Sequence, residues 1–281
     1  MSKIFILGSS GYIGKALIAK LNLLQTPYVT VGRKDADIVM DLSLDYQPLI
    51  NEVYEGDFIV FLAAISSPEI CKNDREMAKG INVTATGDII DALSEKGARI
   101  IFSSSDVVFG KSESVVFDES TLAPFGDYGE MKAEIENKFQ LDSNVKVIRF
   151  SYVMGPGDKY TDMLVKFASE NQTLDVFGGF ERNVVALSDV TSGIISLINK
   201  WDVTSENAIN FSGPECISRW DMTRLFAERF CPNLTSKLVE APIGFWNSRP
   251  KKIESKNVAF TKLLGKQAKS VQENLNDWEE I

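Results

Sequence analysis

The stretch Ile4-Phe5-Ile6-Leu7-Gly8-Ser9-Ser10-Gly11-Tyr12-Ile13-Gly14 decides the reading of this chain. A short apolar run stopped by glycine reads as a strand buried on both faces. Helical spacing follows from about Gly11 to Leu24, and Tyr28-Val29-Thr30-Val31 reads as a second strand. The unit is therefore βαβ, with glycines spaced GxxGxxG at its first turn. That spacing arises readily by chance, and a plain tight turn would use it too. Its place between strand and helix gives it meaning: there, exposed backbone N–H groups and the positive end of a helix dipole can meet a dinucleotide pyrophosphate. Gly8 and Gly11 would permit the turn and the close approach, and Gly14 would let the helix pack on the sheet. Ser10, Tyr12 and Ile13 complete the candidate cofactor loop.

The same rhythm continues outward. Ile38-Val39-Met40, Phe58 to Leu62, Ile100-Ile101-Phe102 and Val145 to Phe150 are strand-like, and Asn82 to Leu93 and Tyr128 to Leu141 have helical spacing. Near-continuous apolar strands alternating with helices predict a doubly wound parallel α/β sheet of the Rossmann type. After Phe150 the pattern loosens, with a helix expected from about Tyr160 to Ser169 and a strand from Leu174 to Phe177. Ser188 to Lys200 reads as a helix and Ala208 to Phe211 as a strand that returns to the sheet. The predicted division is a Rossmann domain over 1–152 and 186–212, with a smaller substrate-binding lobe over 153–185 and 213–281.

Composition removes several classes of function. The 281 residues contain no histidine, which excludes a Ser-His-Asp triad and a histidine base. Three scattered cysteines, Cys71, Cys216 and Cys231, fit reduced thiols better than a disulfide framework, and no metal site is expected. A net charge of -9 argues against nucleic acid as a partner. No apolar run is long enough for a membrane span, and strand-like residues from Lys3 onward leave no room for a signal peptide, so a cytoplasmic location is expected.

Beyond the second strand, Gly32-Arg33-Lys34 stands where NAD sites carry an acid for the ribose. Two cations there read either as a solvated turn or as partners for a 2′-phosphate, so NADP(H) is preferred and NAD(H) stays open. Asp41 and Leu42 are candidates for the adenine edge. Tyr128 and Lys132 lie at i and i+4, neighbours on one helix face. A phenol titrating near 10 needs a nearby positive charge to exchange protons at neutral pH, and Lys132, helped by an oxidised nicotinamide, would supply it. Ser103-Ser104-Ser105 ends a buried strand, where open α/β sheets bind ligands. Such a run is more often ordinary turn chemistry, and it also offers a hydroxyl to a substrate oxygen.

Taken in order and spacing, Gly8-x-x-Gly11-x-x-Gly14, Leu62-Ala63-Ala64, Asn82, Ser103-Ser104-Ser105 and Tyr128-x-x-x-Lys132 resemble the extended short-chain dehydrogenase/reductase family. The resemblance covers nearly the whole chain. It implies that Tyr128 gives or takes a proton, that Ser105 and Tyr128 hold the reacting oxygen, and that Lys132 binds the nicotinamide ribose. Leu62, Ala63, Ala64, Asn82 and Ser103 would line the cofactor, and Ser66, Ser105 and Asp106 the substrate. Members acting on nucleotide sugars carry two diphosphate-binding arginines, here matched by Arg182 and by Arg249 of Arg249-Pro250. Dehydratases of the family follow the catalytic hydroxyl with Asp-Glu, whereas here Asp106-Val107 follows Ser105. Ser105 to Gly110 is more similar to the dTDP-4-dehydrorhamnose reductases, although Ser105 replaces their Thr and Val107 their Tyr. The implied activity is NADP(H)-dependent reduction of a 4-keto nucleotide sugar, with a homodimer compatible. The alternatives are a nucleotide-sugar epimerase and a non-catalytic, cofactor-binding regulatory subunit.

Overall fold

A computed structural model describes residues 2–278. Its centre is a seven-stranded parallel sheet built from β1 (Ile4–Leu7), β2 (Val29–Gly32), β3 (Ile38–Val39), β4 (Phe58–Phe61), β5 (Arg99–Ser105), β6 (Val145–Phe150) and, late in the chain, β10 (Ala208–Phe211). The strand order is β10-β6-β5-β4-β1-β2-β3, so the winding reverses between β1 and β4. Every residue of β1, β4 and β6 is buried, because helices cover both faces. On one face α1 (Tyr12–Leu23) contributes Leu17 and Leu21 to the core. On the other, α2 (Gln47–Glu52), α5 (Thr86–Glu95) and α6 (Gly126–Phe139) contribute Leu49, Ile89, Leu93, Ile135 and Phe139. Each such side chain removed from water stabilises the fold by roughly 1.5–3 kcal/mol. The short helices α3 (Pro68–Asn73) and α4 (Arg75–Lys79) and a π-helical turn over Gly80–Ala85 lead into α5.

The smaller lobe begins with β7 (Tyr152–Met154) and α7 (Lys159–Ser169), followed by β8 (Thr173–Phe177) and β9 (Glu181–Ala186). The helix α8 (Leu187–Asn199) returns to the central sheet, where Val190, Ile194 and Leu197 join Leu17 and Leu21. After β10 come β11 (Cys216–Ser218), α9 (Arg219–Phe230), β12 (Thr235–Val239) and β13 (Lys252–Ile253). In the lobe β9 pairs with β7, β11 and β13, and β8 pairs with β12. The last helices are α10 (Val258–Leu264) and α11 (Val271–Asn276).

The sequence division assigns everything after residue 212 to the lobe, but α10 packs on the central domain. Ala259, Phe260, Leu263 and Ala268 share the core of α1 and α8, with Phe260 stacked 4.3 Å from Phe211 on β10. The chain thus crosses back to the sheet once more before α11 closes the lobe against Phe226 and Trp278. Among the described residues, no helix is long and apolar enough to cross a membrane.

Beneath the sheet's ligand-binding edge lies a buried ion pair. Arg149 Nη2 is 2.7 Å from Glu136 Oε2, with the two side chains only 6% and 4% exposed. Ser104 also donates to Glu136, and Arg149 Nη1 reaches the Asp118 carbonyl at 2.8 Å. Removing one partner strands a charge in a low-dielectric interior. We expect Arg149→Met to lower stability by about 3–5 kcal/mol. Arg149→Met/Glu136→Leu should recover much of that loss, as read by urea-denaturation midpoints.

Candidate active site

The site forms where β1, β4 and β5 end. Gly8 follows β1 with φ +94°, and a Cβ placed on it would lie 2.8 Å from the Ala63 nitrogen after β4. On Gly14 a Cβ would come within 2.5 Å of the Gly8 carbonyl oxygen, so the first turn of α1 presses directly on the loop. The result is a bare backbone floor at a helix N-terminus, suited to a pyrophosphate. Beside it opens a cleft of about 550 Å³ lined by Gly8, Ser10, Gly11, Arg33, Asp41, Leu42, Leu62, Ala63 and Ala64, among others. These are nine of the residues proposed from sequence to hold a cofactor, and the loop and cleft together fit the adenosine diphosphate portion of a dinucleotide.

Other candidates fall elsewhere. Lys34 is exposed and does not line the cleft. The side chain of Ile13 packs into the core, and Tyr12 turns toward the lobe, where its buried hydroxyl lies beside Gly155 with no partner among the described residues. What these two residues can offer a phosphate is backbone. Asn82 lies in the π-helical turn, where its Oδ1 accepts from Ile65 N and its Nδ2 donates to Ile65 O, both at 2.9 Å. Its amide fixes the loop after β4, the local structural role that the sequence leaves open for it beside cofactor contact. Ser66 is exposed on that same loop.

The residues expected from sequence to handle a proton lie on α6, which packs on the turn after β5, and at the end of β5 itself. Gly129 lets α6 approach the 3₁₀ turn Asp106–Phe109 so closely that a Cβ would lie 2.9 Å from the Val107 carbonyl oxygen. This seats α6, which bears Tyr128, on that turn and brings Lys132 to the end of β5. Lys132 is 2% exposed, donates to the Ser103 carbonyl at 2.7 Å, and lies 4.4 Å from the Phe102 ring centroid and 5.8 Å from that of Tyr128. Ser103 therefore acts here through its backbone. Ser105 caps the 3₁₀ turn: its Oγ accepts from Val107 N at 3.4 Å and donates to Asp106 Oδ1 at 3.2 Å.

With no nicotinamide bound, burial dominates the electrostatics of the pair. Burial, reinforced by Cys71 and Asp106, pushes the phenol above its ordinary range. Burial lowers the Lys132 ammonium to about 7, against the opposing pull of Glu136 and Cys71. Before any ligand arrives, the pair is a firmly protonated phenol beside a lysine that titrates near neutrality.

The proposed diphosphate arginines also need correction. Arg182 is 6% exposed, and its Nη1 and Nη2 donate to the backbone carbonyls of Glu181, Lys251 and Pro250 at 2.6, 3.1 and 2.6 Å. Its Nε faces Asp106 Oδ2 at 3.7 Å. The guanidinium braces β9 against the segment entering β13 and offers no open fork to a ligand. Arg249 pairs with Glu69 at the start of α3 and lies 4.7 Å from the Phe245 ring centroid, so it joins lobe to core. Sequence reasoning overlooked Arg219, whose guanidinium lies among Tyr152, Tyr160 and Phe180. No spacing motif marks it.

The family model described as "RmlD substrate binding domain" matches residues 2–275. Methionine adenosyltransferase 2 subunit beta of Mus musculus is 26% identical over 251 residues, covering 81% of this chain and 72% of its own. The dTDP-4-dehydrorhamnose reductase of Salmonella typhimurium is 30% identical over 155 residues, 52% of each chain. Among solved structures, dTDP-4-dehydrorhamnose reductase from Bacillus anthracis in complex with NADP superimposes with a TM-score of 0.83 at 19% identity, over 98% of both chains. MoeE5 in complex with UDP-glucuronic acid and NAD gives 0.80 at 20%, over 98% of this chain and 97% of that one. The chain belongs to the RmlD substrate-binding domain family, oxidoreductases of the extended short-chain dehydrogenase/reductase type.

Proposed function

We propose that this protein is an NADPH-dependent reductase of a 4-keto group on a nucleotide-linked deoxysugar. The observation that carries the reading is the close packing of α6, which bears Tyr128 and Lys132, on the turn after β5 through Gly129, with Lys132 bonded to the Ser103 carbonyl. The Gly8–Gly14 loop and the adjoining cleft would hold a reduced nicotinamide dinucleotide, which would supply hydride when bound. Tyr128 holds the carbonyl oxygen and gives up its phenolic proton as that oxygen becomes a hydroxyl, and the raised phenol pKa keeps the proton in place until then. The Lys132 ammonium offsets the phenolate left behind. Ser105 Oγ, held at the mouth of the 3₁₀ turn, orients the carbonyl and stabilises charge on its oxygen. Arg33, on the cleft wall near Asp41, supports a 2′-phosphate and hence NADPH over NADH.

A second reading has its own observation. The relatedness to methionine adenosyltransferase 2 subunit beta over 81% of this chain points to a cofactor-binding regulatory subunit that catalyses nothing. Turnover separates the two. With dTDP-4-keto-6-deoxyglucose, with and without a 3,5-epimerase, absorbance at the NADPH band should fall under the reductase reading. Tight NADPH binding without consumption would favour the regulatory one, and interconversion of nucleotide sugars without net NADPH loss an epimerase.

Three outcomes are expected under the reductase reading. Tyr128→Phe should lower kcat by about 10²–10⁴-fold while leaving the NADPH Kd within a factor of about two. In the free enzyme Lys132 is charged below about 7 and neutral above it. The kcat/KM for reduction should therefore decline as pH rises through that value, and a profile flat from mildly acid to mildly alkaline pH would contradict the role given to the ammonium. Arg33→Ala should shift the NADPH-to-NADH preference by about tenfold or more toward NADH, the effect of losing one charge-assisted hydrogen bond, measured by paired kcat/KM values.

A further inference from the structure

Part of the cleft beside the Gly8–Gly14 loop is lined by backbone and by Arg33 and Asp41, and part is apolar, formed by Leu42, Ile70, Met77 and Ile81. Two of these apolar side chains are left uncovered: Ile70 on α3 is 47% exposed and Met77 on α4 is 41% exposed. Bare apolar surface in a concave cleft is what the flat face of a nucleobase would cover. Met77 also lines a second groove of about 460 Å³, bounded by Leu42, Leu44, Tyr46 and Thr84 among others. Its side chain is therefore a ridge shared by two clefts, and it stands open to solvent.

Such exposure is unusual for sulfur in this chain. Met40, Met131, Met154 and Met222 are at most 6% exposed. Met163 is half-buried against the lobe core, and Cys71 and Cys231 are buried. Burial pushes the half-buried Cys216 thiol up to about 11, so little of the reactive thiolate forms at neutral pH. Among the described residues Met77 is the most exposed sulfur. A thioether reacts with peroxide without first losing a proton. The sulfur gives up two electrons, the O–O bond breaks, one oxygen bonds to sulfur, and the other leaves with both hydrogens as water. Methionine sulfoxide is polar and chiral where the thioether was apolar, and sulfoxide reductases reverse the change.

We propose that Met77 is a reversible oxidation site at which peroxide weakens binding of the dinucleotide, resting on the reading of this cleft as the seat of the cofactor's adenosine half. The apolar wall then receives the adenine. A sulfoxide oxygen beneath the base either gives up its water without a replacement partner or holds the base off the wall, and both weaken binding.

The test treats the full chain with dilute hydrogen peroxide, removes the excess, and takes two readouts. Peptide mass spectrometry locates the added oxygen, and NADPH fluorescence titration gives the Kd. Wild type and Met77→Leu are each compared with their own untreated form. Met77 should gain oxygen before any other methionine, and the oxidised wild type should bind NADPH about tenfold more weakly, the effect of leaving one polar group unpaired. Met77→Leu should keep whatever affinity it had before treatment. Methionine sulfoxide reductases for both epimers, with a thiol reductant, should restore the wild type, and saturating oxidised NADP during treatment should slow the gain of oxygen at Met77. The assignment is overturned if another residue is oxidised first, if the Kd is unchanged once Met77 is oxidised, if Met77→Leu loses as much affinity, or if oxidised NADP gives no protection. An untreated protein that binds no NADPH overturns both this site and the cofactor reading. One whose NADPH binding follows the state of Met77, yet which reduces no keto sugar, keeps the site and defeats the reductase reading.

Discussion

At the end of β1 three backbone segments meet with no room for a side chain between them. The Gly8 carbonyl presses on Gly14 in the first turn of α1, and the Gly8 Cα faces the backbone of Ala63 after β4. The crowding holds α1 tight to the sheet, fixes the point where the winding reverses, and leaves bare amide groups facing the cleft. Larger residues at these positions would force α1 away from β1 and β4 together. The ligand-binding edge is therefore a direct product of close packing, and its shape cannot change without disturbing the core behind it.

A second layer of constraint supports the strand that bears Ser105. Successive residues of β5 face alternately to its two sides. The Ser103 carbonyl receives Lys132, Ser104 reaches Glu136, and Ser105 caps the turn that follows. Lys132 and Glu136 lie one turn apart on α6, and Glu136 is held in turn by Arg149 on β6. The carboxylate raises the lysine's proton affinity against the effect of burial. Helix and sheet are thus joined by polar contacts that also bear on the charge state of Lys132.

The sheet was legible in the sequence because strands buried on both faces leave unbroken apolar runs. The spans Val145–Phe150 and Ala208–Phe211 occur as read, and β1 begins and ends where its glycine-bounded run does. Tyr128, Lys132 and Ser105 were legible for a related reason: helix periodicity and strand ends place residues without tertiary information. What spacing cannot supply is the partner of a long side chain. Arg182 and Arg249 were each read as open to ligand, and each contacts protein groups distant in sequence. The burial that raises the Tyr128 pKa was invisible for the same reason. In the lobe, strands such as Cys216–Ser218 and Lys252–Ile253 are too short to leave a pattern, and α10 looks no different whether it packs on lobe or sheet.

The path of the chain between core and lobe has a further consequence. It enters the lobe at β7, returns along α8 to β10, leaves again at β11, comes back for α10 and finishes in α11. No single break divides the two regions into separate lengths of polypeptide. The lobe cannot be exchanged between relatives as a cassette by one recombination event, as a terminal domain can. Diversification of substrate choice in such an architecture has to proceed by replacing individual residues on a shared frame, while each half continues to supply part of the other's scaffold.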